Sequence, residues 1–387
     1  METPAPLSPE LFSRLGQLAS SDPSAAADLL IQELSDGQDP KALFYAYLLK
    51  ARVGYGANPY PTGSAHDLPV EVHEAYETQI REASRNVGSL LLEKREIAKA
   101  WPFFELIGEI EPVRKAIEQY HPAEDEDAYP VIDVAWRVGV HPEKGFDLLL
   151  GQQGICSTIT MMSGTDLSQK PDLRDACLGK LVFALHKQLG ERIRGDLEQR
   201  GRPAPEDVAW KTLLTDDLFA EESYHIDLSH LQSVVQMAMH LPNGPALDAV
   251  RDLCEYGKRL SPNLKRQASD PPFDESYDSY LTYFNIVAGI DVDSGIEYFH
   301  FKAAAGMAEG MTYPACVLVN LLIRIGRDQQ ALAVAKEFFA GFSPHELSCP
   351  GVVELARKVG DFDAAALAAR QSGDAVTFLA STIAANR

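Results

Sequence analysis

Within ten residues the chain places Glu221, Glu222, His225, Asp227 and His230. Two imidazoles and a carboxylate are the ligand types of zinc and iron, so His225, Asp227 and His230 form the candidate metal set. Their spacing also admits a plainer account. A helical zinc pair stands at i and i+4 on one face, whereas His225 and His230 are five apart with Asp227 between them. Asp227 or Ser229 suits a helix N-cap, and Gln232 follows Ser229 by three as in a capping box. Behind them Leu228, Leu231, Val234, Val235 and Ala238 make a buried stripe. We therefore expect a cap here and no cofactor, with bound zinc or iron as the alternative.

A second group joins His141, ahead of a proline-led helix, to Cys156 beside Ser157, Thr158 and Thr160. A thiol at a helix N-terminus can lose its proton early, and histidine is its usual base. A small buried cysteine next to a Ser or Thr cap explains the same text without catalysis. The third candidate is the turn-rich stretch at 54–69, where Tyr55, Tyr60, His66 and Asp67 stand among Gly and Pro. Long loops on a helical scaffold are frequent binding surfaces. Asp291 to Gly295 begins like a calcium loop, but Ile296 and Lys302 occupy the positions that need Gly and a bidentate Glu, so it reads as a helix start. Neither GxxxxGK[ST], GxGxxG nor GxSxG occurs, which removes the usual grounds for nucleotide or α/β-hydrolase chemistry.

The elements that must position these residues read as helices throughout. Ser8-Pro9, Asp22-Pro23 and Asp39-Pro40 each set a capping side chain before a proline that suits the first helical position. Leu11, Leu15 and Leu18 follow the first at one-face spacing, and Leu29, Leu30 and Leu34 the second. Similar patterns cover 70–106, 131–138, 173–198, 228–241 and 246–260, and no segment alternates like a strand. The fold class is all-α.

Setting LLIRIGRDQQALAVAKEF against LARKVGDFDAAALAARQS aligns Leu321 with Leu355, Gly326 with Gly360, Ala331 with Ala365 and Ala335 with Ala369, always 34 residues apart. A fixed period of this size signals stacked helix hairpins. The region resembles the tetratricopeptide family, without that family's full Trp, Leu-Gly, Tyr and Pro pattern; fainter copies lie around Gly289 and around Ala98 and Ala100. The resemblance implies an α-solenoid whose concave surface takes a protein or peptide. An acidic break at 121–128 and a Pro-rich one at 261–274 suggest three blocks, 1–122, 129–260 and 274–387, the last holding the repeats, with 201–206 a loop or hinge inside the second.

Composition narrows the function classes. At 45% apolar and 24% charged the chain has the makings of packed cores, and a net charge of −21 with no basic stripe disfavours nucleic acid. The opening METPAPLSPELF lacks the basic and apolar regions of a signal peptide, no stretch is long and apolar enough for a bilayer, and five cysteines fall without a CxxC pair. We expect a cytoplasmic protein with free thiols and no membrane contact. Its partner would be another protein or peptide; the alternative is a metal-dependent or Cys/His enzyme, or a small-ligand-binding helical protein, using residues 221–230.

Overall fold

Near the N-terminus, each cap-and-proline start opens a helix in the computed structural model, which describes residues 8–35, 39–265 and 270–386. Ser8 Oγ accepts from the Leu11 amide at 3.2 Å, Asp22 from Ala25 at 2.9 Å and Asp39 from Ala42 at 2.8 Å. Each bond satisfies one of the amides that a helix start leaves unpaired. Helices make up 71% of the chain, and no strand occurs among the described residues. None of the described helices is long and apolar enough to cross a membrane. Residues 1–7, which the signal-peptide expectation includes, and 266–269 of the 261–274 break lie outside the described residues.

The chain divides into two compact units, 1–154 and 155–387. In the first, α1 (Pro9–Ser21), α2 (Pro23–Leu34), α3 (Pro40–Gly54), α4 (His73–Glu93), α5 (Ile97–Leu106) and α6 (Glu111–Glu118) each pack on the next. A short α7 (Tyr129–Ile132) runs into a π-type turn at Asp133–Arg137. The core is aliphatic and aromatic, with Leu43, Leu48, Tyr76, Leu91, Phe104, Ile117 and Phe146 buried. Helix α8 (Pro142–Ser163) is interrupted at Gly154, whose φ of 74° and ψ of −174° only glycine adopts readily, and the division between units falls there.

The second unit follows with α9 (Pro171–Gln199), short 3₁₀ turns at Trp210–Leu213 and Asp216–Glu222, α10 (Leu228–Met237) and α11 (Pro245–Arg259). Helix α9 packs against both α10 and α11. From there α12 (Tyr277–Val287), α13 (Val292–Ala308), α14 (Tyr313–Arg324), α15 (Asp328–Phe338), α16 (Val352–Val359), α17 (Phe362–Gln371) and α18 (Ala375–Ala385) contact in chain order.

The residues aligned at an offset of 34 occupy matching places in two hairpins. Gly326 turns α14 into α15 at φ 74°, and Gly360 turns α16 into α17 at φ 78°. After each, the next amide reaches back to close the helix, Arg327 to the Leu322 carbonyl at 2.8 Å and Asp361 to Ala356 at 2.9 Å. Ala331, Ala335, Ala365 and Ala369 are all buried, where small side chains let neighbouring helices approach. Ion pairs Lys358–Asp328 and Lys336–Asp361, each 2.8 Å, link one hairpin to the other.

Candidate functional site

The histidine-rich stretch is held between the end of α9 and the start of α10. Two residues ahead of it, Glu221 and Glu222, sit at φ 55° and 61°, a left-handed pair that reverses the chain and brings His225 against α9. The His225 side chain is only 6% exposed. Its backbone N–H donates to Tyr256 Oη at 2.7 Å, Nδ1 lies 3.2 Å from the same hydroxyl, and Nε2 lies 3.1 Å from Asp196 Oδ2. With Tyr256 O–H donating to Nδ1, the ring proton belongs on Nε2, facing the carboxylate. Burial pushes the Tyr256 hydroxyl up to about 12, so it remains a donor. Arg200, the residue that caps the end of α9, bonds Asp196 Oδ1 at 2.9 Å and, with a smaller contribution from His225, holds that carboxyl below its ordinary range.

Asp227 faces the other way. Its carboxylate accepts from the Ser229 and His230 amides at 2.8 and 3.2 Å and from the Ser229 hydroxyl at 2.5 Å, capping α10. His225 is thus engaged by α9 and α11 while Asp227 is engaged by α10. No group of three His, Cys, Asp or Glu side chains among the described residues is arranged to hold a metal ion.

In front of these groups opens a cleft of about 760 Å³, walled by Gln188, Arg192, Gly195, Tyr224, Asp227 and His230 among others. That volume suits a small polar molecule, and the walls carry both signs of charge. A second imidazole on α9 repeats the His225 arrangement: His186 Nε2 lies 3.3 Å from Asp252, and Trp210 Nε1–H donates to His186 Nδ1 at 3.4 Å. Both ring nitrogens of each histidine therefore have partners within the fold. As they stand, the two dyads brace α9.

The depressed Asp196 carboxyl makes a pH prediction. Because its folded value lies below its unfolded one, its contribution to stability is complete above the unfolded value near pH 4 and is lost as pH falls through the folded value. Asp196→Asn should lower stability at pH 7 and flatten the acid limb of a Tm-against-pH profile. An unchanged acid limb would show that the Asp196 pair contributes nothing.

The loop at 54–69 is built around a cation. Arg52 has no exposed side-chain surface; its Nε donates to the Asn58 carbonyl at 2.7 Å and its guanidinium to Thr62 Oγ1 at 3.2 Å and to both oxygens of Asp67. Tyr76 on α4 lies under the guanidinium at 5.6 Å, and its hydroxyl donates to the Thr62 carbonyl at 2.6 Å. Tyr55 packs edge-on against Tyr76, whereas Tyr60 and His66 face solvent. Asp67 is thus a partner of Arg52, and Tyr60 and His66 are the loop's free surface.

His141 lies in the first unit and the exposed Cys156 in the second. Comparison with family models, with curated proteins and with solved structures finds no match to this chain.

A different surface stands out at the C-terminal end. Helix α18 carries no charged residue, and Val376, Leu379 and Ile383, at i, i+3 and i+7, are 81%, 59% and 49% exposed. Helix α17 packs on one side of α18, burying Ser381, and leaves the opposite side bare.

Proposed function

We propose that this chain is a protein-binding scaffold of the helical-repeat kind, its C-terminal hairpins stacked as a tetratricopeptide-like solenoid. The stripe Val376, Leu379 and Ile383 takes one amphipathic helix of another protein. The matching turns at Gly326 and Gly360 and the buried alanines that follow them support the repeat reading. The observation that carries the function is the bare stripe, because contiguous exposed apolar surface on a charged protein marks a contact site. Charge selects the occupant. A net charge of −21 sets copies of this chain against each other and favours a partner whose apolar face is flanked by Lys or Arg.

The test is a photo-reactive residue at position 379 in cells. It should give one discrete adduct with a second, basic polypeptide. Val376→Glu, a change at an exposed position, should abolish the adduct without lowering Tm. A probe at Asp363 should not produce the adduct. No adduct from 379, or adducts only between copies of this chain, would overturn the proposal.

A further inference from the structure

Two of the five cysteines, far apart in sequence, meet at the junction of α14 and α16. Cys316 sits in the first turn of α14 and is buried, while Cys349 lies in the segment that joins α15 to α16 and is partly exposed. The meeting is held by a separate contact. Asn320, one turn beyond Cys316 on the same face of α14, donates from Nδ2 to the Ser348 carbonyl at 3.1 Å, which fixes the residue next to Cys349 against that face. The same contact brings Cys349 beside Cys316, near enough that each sulfur alters the other's ionisation, with Ser348 against the Cys316 sulfur as well. Of the other three cysteines, Cys177 and Cys254 are buried and Cys156 is exposed.

We propose that Cys316 and Cys349 are a reversible redox pair, closed into an intramolecular disulfide by a low-molecular-weight disulfide and opened again by thiols. The chemistry is divided between the two sulfurs by their surroundings. Cys316 lies in the first turn of a helix beside Cys349 and Ser348, and that polar neighbourhood draws its ionisation below that of an ordinary thiol. Cys349 is pushed the other way by its neighbour Cys316, by burial and by the nearby charge of Glu354. Only Cys349 is reachable from solvent.

Exchange proceeds in two displacements. Cys349 passes its proton to the Cys316 sulfur beside it and attacks one sulfur of the small disulfide; an S–S bond forms at Cys349, the small disulfide's own S–S bond breaks, and the other half departs as a thiolate that takes the proton from Cys316. The Cys316 thiolate then attacks the Cys349 sulfur from within the protein, expelling the second small thiolate, which is protonated in turn. Two cysteine sulfurs are oxidised by one electron each, and the small disulfide is reduced to two thiols. Burial of Cys316 does not hinder this step, because its target is delivered by its neighbour. The product ties the segment before α16 to α14, cross-linking the hairpins α14/α15 and α16/α17.

The experiment exposes the full chain to graded ratios of oxidised to reduced glutathione, followed by acid quench, alkylation under denaturing conditions and peptide mass mapping. The expected product is a linked Cys316–Cys349 peptide, reversed by dithiothreitol, with Tm raised by about 5 °C because the cross-link restricts the unfolded chain. Cys156 should end as a mixed disulfide. Cys316→Ser should stop at a glutathione adduct on Cys349, and Cys349→Ser should show neither the bond nor the Tm shift. Recovery of Cys316 as an alkylated thiol when oxidised glutathione is in large excess, with Cys349 either free or carrying glutathione, would overturn the pair. The wild-type result decides the matter even if a variant folds poorly.

Discussion

Arg52→Met is expected to lower the stability of the first unit by about 3 kcal/mol and to loosen the loop at 54–69. Methionine fills most of the same volume, so the loss measures the guanidinium and its bonds, not a cavity. Those bonds hold the loop at three places, the Asn58 carbonyl, Thr62 and Asp67, and the side chain that makes them has no exposed surface. Removing the cation leaves acceptors with no donor on the protein side, although Asp67, half exposed, recovers water. The loss should appear in urea unfolding followed by Trp101 and Trp136, both in this unit, and hydrogen exchange should accelerate in residues 54–69. A loss under about 1 kcal/mol with unchanged exchange would mean that the loop is held by its own turns and the Tyr76 contacts. Asp67→Asn is the companion variant. It keeps one acceptor but removes the carboxylate that holds Arg52 upward and is itself held downward by Arg52, so a smaller loss in the same direction is expected.

Gly257→Ala should cost about 3 kcal/mol in the second unit by forcing two helices apart. Gly257 lies near the end of α11, where the ring of Tyr277 at the head of α12 covers its α-carbon; an added Cβ would stand 2.4 Å from the ring Cγ. The clash is with the root of a buried ring, so it cannot be relieved by swinging a flexible tip aside. Backbone movement between α11 and α12 is required. Gly195→Ala is the control. It too lies inside a helix, but a Cβ there meets nothing within 4 Å, so the change should raise stability by the roughly 0.5–1 kcal/mol that helical glycine costs. Denaturant unfolding followed by Trp210 distinguishes the outcomes. Equal stability of Gly257→Ala and the parent chain would show that α11 and α12 are not in close contact in solution.

The cluster at 221–230 shows how far residue types carry a reading of the site. Asp227 as a cap was legible because its evidence is local: a carboxylate, two following amides and an apolar stripe, all within one helical turn or two. His225 was ambiguous because its partners are remote. Asp196 and Tyr256 lie 29 and 31 residues away in sequence, and nothing in their own surroundings distinguishes them from other surface Asp and core Tyr residues. Arg52 did leave a trace. It follows Leu48 by four on the buried face of α3, and a cation on an apolar stripe ahead of a Gly- and Pro-rich loop that contains an Asp implies an internal anchor.

The sequence by itself determined the helical class, the capped starts at Ser8, Asp22 and Asp39, and the glycine turns at 326 and 360. Each depends on groups a few residues apart, so side-chain type and spacing carry the information. Tertiary structure decided which surfaces meet. On α18 the apolar Val376, Leu379 and Ile383 are left uncovered, because burial requires a neighbour and α17 covers only one side. Cysteines without a paired motif came together because α14 presents Cys316 and Asn320 on one face and the chain returns past it before α16. Local periodicity specifies that a face is apolar; only the path of the rest of the chain specifies what it touches.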